Sequence, residues 1–322
     1  MNAIRLLAQL VVSSVALIGA AHAATDYPQR PVKMYVGFAP GGATDLLARF
    51  YADQLTRKLG QPFIVENRPG SGGNVAIQSL TQTTPDGYTI AMGANYIAAN
   101  AALKRNAYDW RTQIQPIALI ASTPNILVVP PNSPFRSATD VIEAAQKPGS
   151  FLTYGSAGVG SSIHLSGELF QAMTKSKLTH VPYKGVTPAE TALMASEIQM
   201  MFGSPSTEVA LVQAGKLKVL AITGLQRMKV FPDIPTLDEL GLKGFNVGAS
   251  YVLVAPAHVP SDVIARLSKA IEEINALAET TAFTDRIYAT PMRGGPAEAK
   301  AFLESENKKW DKLVEENQLK LD

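Results

Sequence analysis

The chain has 322 residues, enough for one large or two medium domains, and this excludes a disulfide-stapled mini-fold. Hydrophobic residues make up 46% and charged ones 17%, which argues for a packed globular protein over a disordered or fibrous one. Lys and Arg (29) nearly balance Asp and Glu (27), no basic cluster occurs and Cys is absent. Nucleic-acid binding, thiolate chemistry, Fe-S clusters and Cys-based zinc sites therefore drop out.

The chain opens with Arg5, an apolar stretch from Leu6 to Ile18, and Ala21-His22-Ala23. That is the grammar of an export leader, residues 1-23, cleaved after Ala23. About 13 apolar residues rise only about 20 Å as a helix, too short for the roughly 30 Å core of a bilayer. No Cys follows to carry a lipid, and no later stretch approaches a membrane span. A soluble periplasmic protein with no stable membrane insertion is expected.

Val32 to Phe38 is a β-rich run, broken by Pro40-Gly41-Gly42, after which Leu47, Tyr51, Leu55 and Leu59 recur at helical spacing. The same strand-turn-helix order returns at Phe63-Val65 with Asn74-Leu80, and at Thr89-Met92 with Ile97-Leu103. It returns again at Leu152-Tyr154 with Ser161-Met173, and at Ile198-Phe202 with Ser206-Val212, before a last strand at Val219-Ile222. Such alternation predicts βαβ units and parallel sheets. Two extended apolar runs ended by Pro, Asn125-Pro130 and Ser250-Pro256, resemble each other and are read as neighbours at a hinge. One lobe then comprises residues 24-129 plus 250-322, and the other residues 130-249. Helices from Ser261-Asp262 and from Pro296 close the chain, the last with Leu303, Trp310, Leu313 and Val314 on one face.

Two loops stand where an open parallel sheet puts its ligands, at a strand's carboxyl end and a helix's amino end. The first is Phe38, Ala39, Pro40, Gly41, Gly42, Ala43, Thr44 and Asp45. Free N-H groups there form a site for an anion, although the same residues also make a plain tight turn capped by Thr44 or Asp45. The second follows Tyr154: Ser156, Ala157, Gly158, Gly160, Ser161 and Ser162, leading to His164, with hydroxyls added to the amides. Its glycines run G-x-x-G-x-G, which is not the dinucleotide fingerprint, and no phosphate-binding G-x-x-x-x-G-K motif occurs, so no cofactor is expected.

Asn95 and Tyr96, and likewise Gly203 and Ser204, follow strands and are candidate cleft residues, with ordinary strand-end turns as the alternative. Lys184 is either an anion-attracting group or a solvated turn lysine. His164, His180 and His258 form no metal-binding spacing, so no metal site is expected. Ser161 or Ser162 near His164 suggests a hydrolase, but the nucleophile elbow G-x-S-x-G is missing and no catalytic residue is assigned. Two anion-friendly loops on two hinged lobes point instead to a clamshell that grips a small acid.

Several segments carry a family resemblance. They are Tyr27-Pro28, Arg30-Pro31, Pro40 to Asp45, Glu66 to Asn74, Pro85 to Thr89, Gly155 to Gly158, His164-Leu165, Val181 to Gly185, and Ile234 to Glu239. In number and order the chain resembles the receptors of tripartite tricarboxylate transporters, the Bug-type periplasmic solute-binding proteins. The resemblance implies an α/β, two-lobed periplasmic solute-binding fold of the Venus-flytrap type II, with a mostly parallel sheet in each lobe. It further implies a monomer that holds a small carboxylate by amides, hydroxyls and waters, and hands it to an integral-membrane permease of a large and a small subunit. By the same resemblance Phe38 to Asp45 is the first jaw and Ser156 to Ser162 the second, with Phe38 placed to stack on the solute. Ser250-Tyr251-Val252 stands where relatives often carry Trp-Tyr-Gly, and Gln113-Ile114-Gln115 replaces an acidic-aromatic pair. A sensory partner and a serine hydrolase remain the alternative functions.

Overall fold

The computed structural model describes residues 27-104 and 106-317, so the leader expected at residues 1-23 lies outside the described residues. In chain order the first half contains β1 (Val32–Val36), α1 (Ala43–Leu59), β2 (Phe63–Asn67), α2 (Asn74–Thr81), β3 (Thr89–Ala94), α3 (Tyr96–Ala102), α4 (Trp110–Gln113) and β4 (Ile114–Pro124). There follow β5 (Ile126–Val129), α5 (Ala138–Gln146), β6 (Thr153–Ser156), α6 (Ser162–Thr174), β7 (Thr179–Pro182), α7 (Val186–Met194), β8 (Met200–Gly203), α8 (Pro205–Gln213) and β9 (Lys218–Ile222). The chain ends with β10 (Gly248–Pro256), α9 (Ser261–Asn275), α10 (Ala278–Arg286), β11 (Thr290–Pro291) and α11 (Pro296–Asn317).

The strands form two sheets, one of six in the order β11-β4-β10-β3-β1-β2 and one of five in the order β7-β6-β8-β5-β9. Each nucleates a lobe with its own apolar core. The expected parallel pairing holds within β2-β1-β3 and β7-β6-β8. Elsewhere the sheets are antiparallel, which corrects the expectation of mostly parallel sheets: β10 runs antiparallel to both β3 and β4, and β5 to both β8 and β9. The reason is that a late segment returns to fill the centre of the first sheet. The long strand β4 is absent from those expectations, because Pro116 and Pro124, with the polar Gln115, Ser122 and Thr123, leave only a short apolar run at Ile117 to Ala121.

Leu47, Tyr51 and Leu55 lie fully buried along α1, as their spacing predicts. The two crossings between sheets run side by side. Pro124 pairs with Gly248, and the buried Thr223 hydroxyl accepts from Asn125 N-H at 2.7 Å and lies 2.5 Å from Val247 O. The resembling runs themselves separate, because β5 pairs in the second sheet while β10 pairs in the first. Helix α11 straps both lobes. Its Ala299 and Leu303 enter the first core, and Trp310, one of the largest fully buried side chains, enters the second.

Candidate functional site

Strand β1 delivers the first loop to the start of α1. Gly41 has φ +97, a backbone state costly for any side chain, and this turns its N-H onto Asp45 Oδ2 at 3.0 Å. Asp45 faces inward and is only 2% exposed. It also accepts from Arg49 Nε at 2.9 Å and from Asn67 Nδ2 at 2.8 Å, while Asn67 Nδ2 holds Phe38 O at 3.0 Å. Burial alone would raise the Asp45 pKa, but these three donors together hold it below the usual carboxylate value. With Asp45 spent in this way, Gly42 caps α1 by backbone conformation alone, and no side chain satisfies the first turn. The Ala43 and Thr44 N-H groups have no intrahelical acceptor and carry the positive end of a 17-residue helix dipole.

The second loop is built in the same way. Gly158 N-H reaches Ser156 Oγ at 3.0 Å, and Ser156 Oγ lies 2.7 Å from His180 Nε2. Gly160 N-H donates to His164 Nδ1 at 3.0 Å. Ser161 caps α6, accepting from His164 N-H at 3.3 Å and donating its own proton to Gly158 O at 2.7 Å. That leaves the Ser162 and Ile163 N-H groups at the helix start without an intrahelical acceptor. His180 is pushed down to about 4 by burial and stacks on Tyr154, with ring centroids 4.8 Å apart. His164 lies against His180 at 4.1 Å, with its Nε2 3.6 Å from Glu168 Oε1. The imidazoles therefore sit behind the loop and shape it.

Both helix starts open into one cleft between the lobes, partly open to solvent. From the first loop Phe38, Ala39, Gly42, Ala43 and Thr44 line it; from the second, Ala157, Ser161 and Ser162 do. Asn95, Tyr96 and Ser204 line it as well. The Phe38 ring meets Tyr96 edge-on at 5.8 Å, so the two form one aromatic wall. Asn95 presents little to a guest, because its amide is spent on Gly248 O, Glu306 Oε2 and Ser250 N-H.

The other sequence candidates do not line the cleft. Pro40 and Gly41 are exposed, and Asp45 points into the first lobe. Ser156, Gly158, Gly160 and His164 form the scaffold of the second loop. Lys184 is exposed, and its carbonyl, not its ammonium, is engaged, accepting from Ala39 N-H at 3.2 Å across the lobes. Gly203 is packed under the Glu208 carboxyl.

Sequence reasoning missed Ala94, Asn125, Ile163, Val186, Ala249 and Tyr251, which complete the lining. The Tyr251 phenol pairs with the Thr44 side chain. Among the described residues, no lysine, arginine, histidine or carboxylate side chain lines the cleft. An anion placed there would meet the free amide groups of the two helix starts, which are strong donors once water is excluded. The same geometry gives Ser161 no general base. Its proton is directed to Gly158 O, and His164 Nδ1 is occupied by Gly160 N-H.

The family model for the tripartite tricarboxylate transporter family receptor matches residues 47-319. The chain belongs to this receptor family. It is 31% identical to protein BugT of Bordetella pertussis over 327 residues, covering all of both chains. Among solved structures it is similar to R. palustris Rpa4515 with adipate, with a TM-score of 0.86 and 32% identity, covering 92% of this chain and 99% of that one. It is also similar to MatC from Rhodopseudomonas palustris with bound malate, with a TM-score of 0.85 and 29% identity, covering 89% and 100%. As a member of this binding-protein family the chain has its α/β periplasmic binding-protein fold, here with two mixed sheets. Among the described residues no helix is long and apolar enough to cross a membrane.

Proposed function

We propose that the protein is a periplasmic, monomeric, non-catalytic receptor that captures a small carboxylate and delivers it to a tripartite tricarboxylate-type membrane permease. The observation that carries the reading is a single cleft into which two helix amino ends, from opposite lobes, direct unspent N-H groups and, among the described residues, no basic side chain. A carboxylate placed there accepts from Ala43 and Thr44 on one side and from Ser162 and Ile163 on the other, while the Phe38-Tyr96 wall covers its carbon chain. The adipate and malate of the similar structures have this chemistry. Sheet membership supports lobe limits at 124-126 and 247-248, a few residues before the expected 129 and 250, because β5 pairs within the second sheet.

Titration calorimetry of the chain without residues 1-23 tests the reading against malate, adipate, citrate, glutamate and benzoate. Heat of binding with the acid recovered unchanged is expected for at least one of them. No binding to any of them, or turnover of an ester or amide substrate, would overturn it.

A further inference from the structure

The segment Gly70-Ser71-Gly72-Gly73 belongs to the stretch that signals the family, yet it donates nothing to the cleft. It links β2 to α2 in the first lobe. Its Gly72 lies backbone-on-backbone against the second loop of the opposite lobe. A β-carbon placed on Gly72 would stand 2.3 Å from Val159 O, 2.5 Å from Ser161 N and 2.9 Å from Gly160 C. Seen from the other side, a β-carbon on Gly158 would stand 3.1 Å from Gly72 N. Gly72 has φ +58 and Gly158 φ +117, so both partners also use backbone states that disfavour side chains.

The turn is held from behind by the cleft itself. A β-carbon on Gly73 would meet the Tyr96 ring at 2.6 Å, and one on Gly37 would meet Gly73 Cα at 2.5 Å. Strand β1, the cleft wall and the turn are thus one close-packed unit. Beside the turn, Asn100 of α3, fully buried, donates to Gly160 O at 3.2 Å. The Ala39 N-H to Lys184 O bond closes a separate contact between the lobes.

We propose that the Gly70-Gly73 turn is a closure latch, in which Gly72 is a positioning residue whose missing side chain lets the first lobe seat on the backbone of the second jaw. It deepens the receptor reading and rests on it: the latch forms when the lobes meet, and it places the Ser162 and Ile163 amides opposite those of Ala43 and Thr44. A methyl group at 72 holds the jaws apart, and the affinity falls with the population of the closed state.

The test compares Gly72→Ala with Gly60→Ala. Gly60 has φ +77 and nothing within 4 Å of its would-be β-carbon, so the control carries the backbone strain without the clash. The natural chain has no Cys, so cysteines introduced at the exposed positions Gln78 and Lys177 take spin labels for distance measurement across the lobes. Calorimetry with malate and adipate is expected to show a loss of about tenfold or more for Gly72→Ala and little change for Gly60→Ala. The short inter-label distance should be depleted in Gly72→Ala alone, while thermal midpoints without added acid fall equally in both variants. Gly158→Ala, with its looser 3.1 Å approach, should show a smaller loss in the same direction and stands in if Gly72→Ala does not fold.

Equal affinity and equal distance distributions for wild type and Gly72→Ala would overturn the latch. Wild type binding neither acid would count against the carboxylate reading with those probes, and the latch would still be judged by the distances of the unliganded chains. A wild type that never shows the short distance, with or without acid, would overturn the latch as well.

Discussion

Asp45→Asn is the substitution that most directly asks whether the first jaw is preorganised by its own scaffold. Three donors converge on the Asp45 carboxylate: Gly41 N-H and Arg49 Nε on Oδ2, and Asn67 Nδ2 on Oδ1. An asparagine keeps the shape but offers one acceptor oxygen, so its NH2 must face a donor on one edge. Asn67 has no relief by flipping, because its Nδ2 also holds Phe38 O and its Oδ1 accepts from Arg49. One lost charge-assisted bond plus one unsatisfied buried donor costs about 2-3 kcal/mol, the lower end applying because Arg49 is half exposed.

Chemical denaturation at pH 7 should show that loss, and binding of the acid identified by calorimetry should weaken, since one of the bonds that fix the first loop to residue 45 is gone. The pH dependence separates the carboxylate from mere shape. The Asp45 pKa is lowered in the folded chain, so its contribution is fully present above the ordinary value of 3.8 and is lost as pH falls through the lower folded value. The gap between wild type and Asp45→Asn should therefore be constant at neutral pH and shrink in acid below about 4. A gap that persists unchanged into strong acid, or no gap at pH 7, would refute the reasoning.

Two further outcomes follow from buried groups in the second lobe. Glu208 is fully buried, neither of its carboxyl oxygens has a hydrogen-bond partner, and burial, with the nearby Glu190, raises its pKa well above 4.5. Its cost to stability is absent in acid and grows as pH rises past the unfolded value, so Glu208→Gln should raise the thermal midpoint at pH 7 by a few degrees, with the gain vanishing towards pH 4. His180, held neutral against Ser156, Tyr154 and His164 with Glu168 beyond, has its pKa lowered to about 4. The stability it contributes is complete above about 6.5 and declines from there to about 4, as the unfolded chain takes up the proton first. His180→Gln, whose amide can still donate to Ser156 Oγ, should flatten that limb in melts recorded between pH 4 and 7.

The local grammar of this protein is written in its sequence. Each strand, glycine-rich turn and helix start in the two loops arises from neighbours within about ten residues, through hydrophobic period, Gly and Pro chemistry and unsatisfied N-H groups. Both helix amino ends were therefore legible before any contact was known, and so was the burial of Leu47, Tyr51 and Leu55. The inward turn of Asp45 was not, because it depends on Asn67, 22 residues away. Nor was the filling of the first sheet by β10, since the bond between Asn95 and Ser250 spans 155 residues and leaves no periodic trace in either segment.

The same holds for Asn125, Val186 and Tyr251, which reach the cleft only because the crossings and the closing lobes bring them there. It holds equally for Gly72, whose need for an absent side chain is set by the backbone of the other lobe. Sequence alone thus determined the two helix starts whose N-H groups could be offered to a guest. Tertiary packing decided which of them are spent on the scaffold and which still face the cleft, because hydrogen-bond capacity and space are shared among residues far apart along the chain.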